Sequence, residues 1–180
     1  MLLGIMSDSH GDATATARAI QLLESRGAEK LIHCGDICSE SVLDEFAGHD
    51  VTFVWGNCDS PSRALRKYVS SLDLAWPEAL VQIDAAGKKI AVFHGHEPAF
   101  SPAIESGRFD YIFYGHTHKY ADDMIEKTRV MNPGALYRAA VKTVALVDTA
   151  SDSVIFLRVD SGEEVSVSTP RDRRGRRGSS

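Results

Sequence analysis

The sequence has no apolar run approaching the roughly 20 residues that a membrane span needs, although 43% of its 180 residues are hydrophobic. No membrane partner is therefore expected. Cysteine is scarce too. Cys34, Cys38 and Cys58 are an odd number scattered along the chain, which argues against a disulfide framework and for a reducing, cytoplasmic setting. The C-x3-C pair Cys34/Cys38 has no second Cys or His pair at zinc-finger distance. It reads as two small buried hydrophobes rather than half of a structural zinc site. The apolar start Met1 to Met6 lacks a basic leader and is broken by Asp8 and His10, so it is expected to be a first strand and not an export signal. No repeat of solenoid length occurs, and the length suits one domain.

Positive charge is sparse except at one end. The net charge is −5, but Pro170 to Ser180 holds five arginines against one aspartate, a +4 tail that leaves −9 on the body. An acidic body lacks the basic face of a nucleic-acid platform. The tail has no apolar residue to bury, so it is expected to be disordered and to make only weak contact with nucleic acid or acidic lipid. The division expected is a domain over residues 1–160 and an Arg-rich tail over 161–180.

What is present is a repeated grammar of apolar run, polar loop and helical pattern. Leu2 to Met6 leads through Ser7–Asp12 to a helix over Ala13 to Arg26. Lys30 to Cys34 leads through Gly35–Cys38 to a helix through Phe46, capped by Ser39 or Ser41. Val51 to Trp55 leads through Gly56–Asp59 to a helix towards Tyr68, with Ser60 as cap and Pro61 first. Strands this apolar should be buried on both faces. Beyond Trp76-Pro77 a hairpin is expected over Leu80–Asp84 and Lys88–Phe93, a helix of about ten residues from Pro98, and a strand over Asp110–Tyr114. Short hairpin strands at Met124-Ile125 and Val130-Met131 follow, then a last hairpin over Lys142–Asp148 and Ser153–Val159.

Five of these strands end in metal-ligand chemistry. Asp8 and His10 follow the first, Asp36 the second, Asn57 the third, His94 the next, and His116 with His118 the fifth. In an open α/β sheet such loops meet outside the carboxyl ends of the strands. Gly35, Gly56 and Gly115 each precede one of these residues, as a tight strand-end turn requires. Mixed imidazole and oxygen donors suit Mn, Fe, Zn, Ni or Co better than Ca or Mg. Seven protein donors exceed what one open catalytic ion uses, so two ions about 3.5–4 Å apart are expected, with a shared hydroxide attacking phosphorus in line. Asp36, central in the set, is the expected bridge.

Asp8-Ser9-His10, Gly35-Asp36, Gly56-Asn57, His94-Gly95-His96 and Gly115-His116-Thr117-His118, in that order, resemble the five-part signature of calcineurin-like metallophosphoesterases. With Gly56–Asp59 and Asn132–Ala135 they are similar to its small single-domain phosphodiesterase branch, which shares its fold with the scaffolding subunit of the retromer coat. The resemblance implies a four-layer α/β/β/α sandwich of two mixed sheets flanked by helices. It also implies two divalent transition-metal ions, Mn first, with Ni, Fe, Zn or Co as alternatives. Asp8, His10 and His118 would hold one ion and Asn57, His94 and His116 the other, with Asp36 on both. His96 is a substrate-side candidate, Asn132-Pro133-Gly134 a rim, and Arg138 a contact for phosphate.

Many relatives carry His after the Asn of the third motif, where this chain has Cys58. A thiol replaces an imidazole poorly as general acid, which costs about 10²–10⁴-fold on a poor leaving group and much less on an aryl oxide. Asp59 is a candidate substitute acid or orienting group, or a helix cap. The expected activity is hydrolysis of a small phosphodiester, by a monomer or homo-oligomer. A phosphomonoesterase or a non-catalytic scaffold on the same fold are the alternatives.

Overall fold

A computed structural model describes residues 1–78 and 80–166. Leu2–Met6 (β1), Lys30–His33 (β2) and Val51–Phe53 (β3) run parallel. Along β1 the side chains alternate as the pleat demands: Leu3 and Ile5 point to one core and Leu2 and Met6 to the other. Ala13–Ser25 (α1), Glu40–Asp44 (α2) and Arg63–Ser71 (α3) follow the three strands in turn. Helix α1 begins because Asp12 accepts the Ala15 N–H at 2.9 Å, and it buries Ala15, Ala19, Ile20 and Leu23 at helical spacing.

Val81–Ala85 (β4) and Lys88–Val92 (β5) form the expected hairpin, its turn carried by Ala86 and Gly87 with φ of 54° and 78°, the pair of positive values a type I′ turn needs. Phe100–Glu105 (α4), Tyr111–Phe113 (β6), Ala121–Ile125 (β7) and Thr128–Asn132 (β8) follow. Thr143–Asp148 (β9), Ser153–Arg158 (β10) and Glu164–Val165 (β11) close the chain. One sheet has the order β11-β10-β9-β1-β2-β3, the other β4-β5-β6-β8-β7, and both mix parallel and antiparallel pairs. Phe46, Leu23 and Leu157 belong to the layer between α1–α3 and the first sheet. Leu3, Ile32, Phe113 and Phe156 fill the space between the sheets, and Ala103, Phe109 and Ile112 lie under α4. The layering is α/β/β/α, as the resemblance implied.

Several boundaries differ from expectation. Helix α3 is capped by Ser62, which accepts the Leu65 N–H at 3.1 Å, so Ser60 and Pro61 stay outside it. Helix α4 starts at Phe100, two residues after Pro98, because the Glu97 side chain that would cap an earlier start turns back to the N–H groups of His94 and Gly95. Strands β7 and β8 are longer than the apolar pattern suggested. Asp122, polar but 8% exposed, is satisfied there by a bidentate pair with Arg129 at 2.7 Å on both arms. Residues 121–132 are therefore a full hairpin of the sheet. Strand β11 carries the first sheet past residue 160, and the expected Arg-rich tail from Pro170 lies outside the described residues. Among the described residues no helix is long and apolar enough to cross a membrane.

Candidate metal centre

Six parallel strands point their carboxyl ends the same way: β1, β2 and β3 in one sheet, β5, β6 and β8 in the other. Asp8 and His10 leave β1, Asp36 leaves β2, Asn57 leaves β3, His94 leaves β5, and His116 and His118 leave β6. The turns are unusual in where they put positive φ. Asp8, His10, Asp36, His116 and His118 have φ of 55°, 42°, 57°, 67° and 58°, values that cost energy for any residue with a Cβ and gather at functional sites. Gly56 and Gly115 serve by lacking bulk rather than by adopting a special turn. A Cβ on Gly56 would lie 2.1 Å from Asp36 Oδ1, and one on Gly115 would lie 2.0 Å from Ser7 Oγ and 2.6 Å from Asp8 Oδ2.

The donor atoms crowd together. His10 Nε2 lies 3.1 Å from His118 Nε2, and His118 Nε2 lies 3.2 Å from Asp8 Oδ1. Asp36 Oδ2 faces two imidazoles, His10 Nε2 at 3.4 Å and His94 Nε2 at 3.3 Å. His94 Nε2 is also 3.1 Å from Asn57 Oδ1. Its other nitrogen, Nδ1, donates to the Cys34 carbonyl at 2.7 Å, which fixes the tautomer and turns the Nε2 lone pair towards Asp36 and Asn57. Lone pairs thus converge with no proton assigned between them. Donors about 2.1 Å from one ion stand about 3.0–3.4 Å from each other, so these residues fit divalent cations. Among the described residues, Asp8 and Asp36 pair only with histidines, although both are buried. Two buried carboxylates without a Lys or Arg require another positive charge.

The titration directions follow from the same crowding. Burial pushes Asp8 up, with His94 and His118 pulling the other way. Burial also pushes Asp36 up, but when no ion is bound and His94 takes a second proton on Nε2, the hydrogen bond from that proton and the one from the Cys58 N–H outweigh burial and hold this carboxyl far below its usual range. His94 is pushed down by burial, yet its bonds to Asp36 and to the Cys34 carbonyl leave it raised.

His116 stands apart from the other expected ligands. Its backbone N–H donates to both oxygens of Asp8, at 3.2 and 3.1 Å, and its exposed ring is stacked edge-on to His94 at 5.1 Å. The groups of His, Cys, Asp and Glu donors mutually within 4.8 Å, among the described residues, are Asp8/His10/His118, Asp8/Asp36/His94 and His10/Cys38/Cys58. His96 is exposed at the rim, its Nδ1 3.7 Å from Glu97 and its ring 6.3 Å from that of His116. Arg138 borders a cleft with His118 and Lys119, its guanidinium over Tyr137 at 5.1 Å.

Asp59 caps no helix. Its oxygens accept N–H groups from Ile37 at 3.3 Å, Cys38 at 2.7 Å and Gly56 at 2.7 Å, so it ties the Asp36 loop to the Asn57 loop. This geometry fits the orienting reading. Cys58 is exposed beside Asp36 and Asp59; burial and then those carboxylates push its thiol up. Cys34 is buried as expected, whereas Cys38 is exposed, with Sγ 3.7 Å from His10 Nδ1. Its place in a ligand loop, not its apolarity, decides where it goes.

Other supports escaped the sequence reading. Asn132, at the end of β8, donates to the Gly115 carbonyl at 2.6 Å and to Thr117 at 3.2 Å, while its own carbonyl takes the Gly134 N–H. It holds the His116–His118 loop. His33 is fully buried; it accepts the Gly35 N–H at Nδ1 and so donates from Nε2 to Ser9 Oγ at 2.8 Å. A lone His inside an apolar strand carried no signal that would separate this role from ordinary core packing. For Asn132 the signal was its place at a sixth strand end.

The sequence model of the calcineurin-like phosphoesterase superfamily domain matches residues 1–152. A phosphodiesterase of Methanocaldococcus jannaschii is 29% identical over 155 residues, covering 83% of this chain and 93% of its own. Phosphodiesterase YfcE of Escherichia coli is 28% identical over 154 residues, covering 76% and 79%. The solved structure of an archaeal phosphodiesterase superposes with a TM-score of 0.79 at 27% identity, over 88% of this chain and 99% of that one.

Proposed function

Because this chain belongs to the calcineurin-like phosphoesterase superfamily, we propose that it is a metal-dependent phosphodiesterase whose two ions share Asp36. Asp8, His10 and His118 hold the first ion and Asn57, His94 and His116 the second, with Mn the leading metal and Ni, Fe, Zn or Co the alternatives. The observation that carries this reading is the single oxygen, Asp36 Oδ2, lying 3.4 Å from His10 Nε2 and 3.3 Å from His94 Nε2, one imidazole from each set. A bound pair of divalent ions supplies Lewis-acid charge for a phosphoryl oxygen and a water acidic enough to be a nucleophile at neutral pH.

The chain's own residues do the rest. Asp59, Glu97 and Asn132 lock four donor loops by accepting or giving backbone hydrogen bonds, which keeps the donors in place without rearrangement. His96 at the rim and Arg138 beside His118 lie where a small phosphodiester would approach. No imidazole follows Asn57 to protonate a leaving oxygen, and the raised Cys58 thiol is a weak acid. The preferred substrates are therefore phosphodiesters with good leaving groups. Three free thiols suit a reducing cytoplasm.

The test is hydrolysis of an aryl phosphodiester by the Mn-loaded protein, beside the Asp36→Ala and His116→Ala variants and an aryl phosphomonoester. Diester turnover abolished in both variants supports the reading. Faster monoester turnover makes it a phosphomonoesterase, and turnover no greater than that of the variants across several metals makes it a scaffold.

A further inference from the structure

We propose a third cation site, selective for thiophilic metals such as Zn²⁺ or Cd²⁺, formed by Cys38 Sγ, Cys58 Sγ and the outward nitrogen of His10, Nδ1. It goes beyond the phosphodiesterase centre, which takes the opposite nitrogen of the same ring. Cys38 Sγ lies 3.7 Å from His10 Nδ1, and the three donors are all within 4.8 Å of each other. A tetrahedral ion with sulfur at about 2.3 Å and nitrogen at about 2.0 Å sets those two atoms about 3.6 Å apart. The donor set, two thiolates and one imidazole, is that of an open zinc site with the fourth position left to solvent or a ligand. Soft sulfur donors also separate it from the oxygen-rich centre next to it.

The site is held before any ion arrives. The Cys38 N–H is bound to Asp59 Oδ1 at 2.7 Å and the Cys58 N–H to Asp36 Oδ1 at 2.8 Å, so both loops are fixed with their thiols adjacent. Both cysteines are exposed and border a cleft walled by Leu43, Trp55 and Leu65, so a cation can reach them from solvent. In the chain whose His10 Nε2 already serves the neighbouring centre, binding releases one proton from each thiol and one from His10 Nδ1, leaving the ring as an imidazolate; the cation forms two metal–sulfur bonds and one metal–nitrogen bond, and nothing is oxidised or reduced. Because His10 Nε2 faces His118 and Asp36, occupancy here reaches the neighbouring donor set through one imidazole. A thiophilic cation thereby acts on the phosphoesterase centre without displacing its ligands.

Cadmium is the probe. The Mn-loaded full chain, reduced and under inert gas, is titrated with Cd²⁺ while thiolate-to-metal ultraviolet absorption, proton release and metal content are read. One Cd²⁺ per chain, the absorption band and three protons per ion are expected, two from the thiols and one from His10 Nδ1. Cys38→Ser and Cys58→Ser should each weaken binding by more than the roughly 10- to 100-fold that loss of an outer partner costs. In the wild-type chain Cd²⁺ should also protect both thiols from alkylation, as peptide masses will show, so the result stands even if a variant folds poorly. Cd²⁺ bound equally by the double Cys38→Ser/Cys58→Ser variant, or bound without thiolate absorption and without protection, overturns the site. These readouts do not depend on phosphodiester hydrolysis, so this proposal and the proposed function fail separately.

Discussion

The Asp36 carboxylate divides its two oxygens between separate tasks, Oδ1 accepting the Cys58 N–H and Oδ2 facing the imidazoles of His10 and His94. Asp36→Asn keeps the size but removes the charge. It is expected to reduce bound Mn and diester turnover by more than about 100-fold, checked by metal analysis on the same sample; Mn content equal to wild type would refute a shared role. Gly56→Ala should produce a similar loss for a steric reason, since its Cβ would meet Asp36 Oδ1 at 2.1 Å, with a stability cost of about 1–3 kcal/mol read by denaturant titration. His33 supplies a pH prediction. Burial lowers its pKa from 6.5 to about 3, so the unfolded chain takes up a proton below pH 6.5 that the folded chain refuses until about pH 3. The stability from keeping His33 neutral is complete above 6.5 and falls by about 1.4 kcal/mol per pH unit below it. In metal-free protein, His33→Gln should flatten the urea-midpoint profile across that window, and an unchanged slope would show that His33 takes no part. The candidate donor residues were legible in the sequence because metal chemistry demands their types at strand ends. His33 and Asn132 were not, because a buried hydrogen bond leaves no periodic trace.

At the scale of elements, the strands were readable and their ends were not. Continuous apolar runs name β1, β5 and β9, since a strand covered on both faces of its sheet has few positions for a polar side chain. Where each helix begins depends instead on which hydroxyl happens to reach a free N–H. Ser60, just before Pro61, was the expected cap, yet Ser62 holds the Leu65 N–H. Ser62→Ala should cost about 1 kcal/mol and Ser60→Ala almost nothing, as paired thermal melts would reveal; the reverse order would move the start of α3. Strands β7 and β8 escaped full detection because Asp122 and Arg129 look like loop residues until their bidentate pair is seen. Tyr111 and Phe113 of β6 are buried between the sheets.

In the whole molecule, two sheets are pressed face to face so that three parallel strand ends from each open onto one edge. The centre is thus a joint between sheets, with Asp8, His10, Asp36 and Asn57 from one and His94, His116 and His118 from the other. Metal should therefore stabilise the fold globally. At a hundred times its dissociation constant an ion contributes about 2.7 kcal/mol, a rise in Tm of about 5–11 °C for a chain of this size, and Asp36→Asn should lose most of it; a Tm indifferent to Mn in the wild type would deny the coupling. What the sequence by itself determined was the inventory and the side: which residues are candidate donors, that each follows a strand, and that parallel βαβ order brings strand ends to one edge, all consequences of burial period and ligand chemistry. Only tertiary structure decided which candidate donors lie within one ion's reach, that Asp59 ties the Asp36 and Asn57 loops together, and that Cys38 meets Cys58 and His10 outside the core. Those outcomes hang on contacts between loops far apart in the chain, whose distances no local pattern encodes.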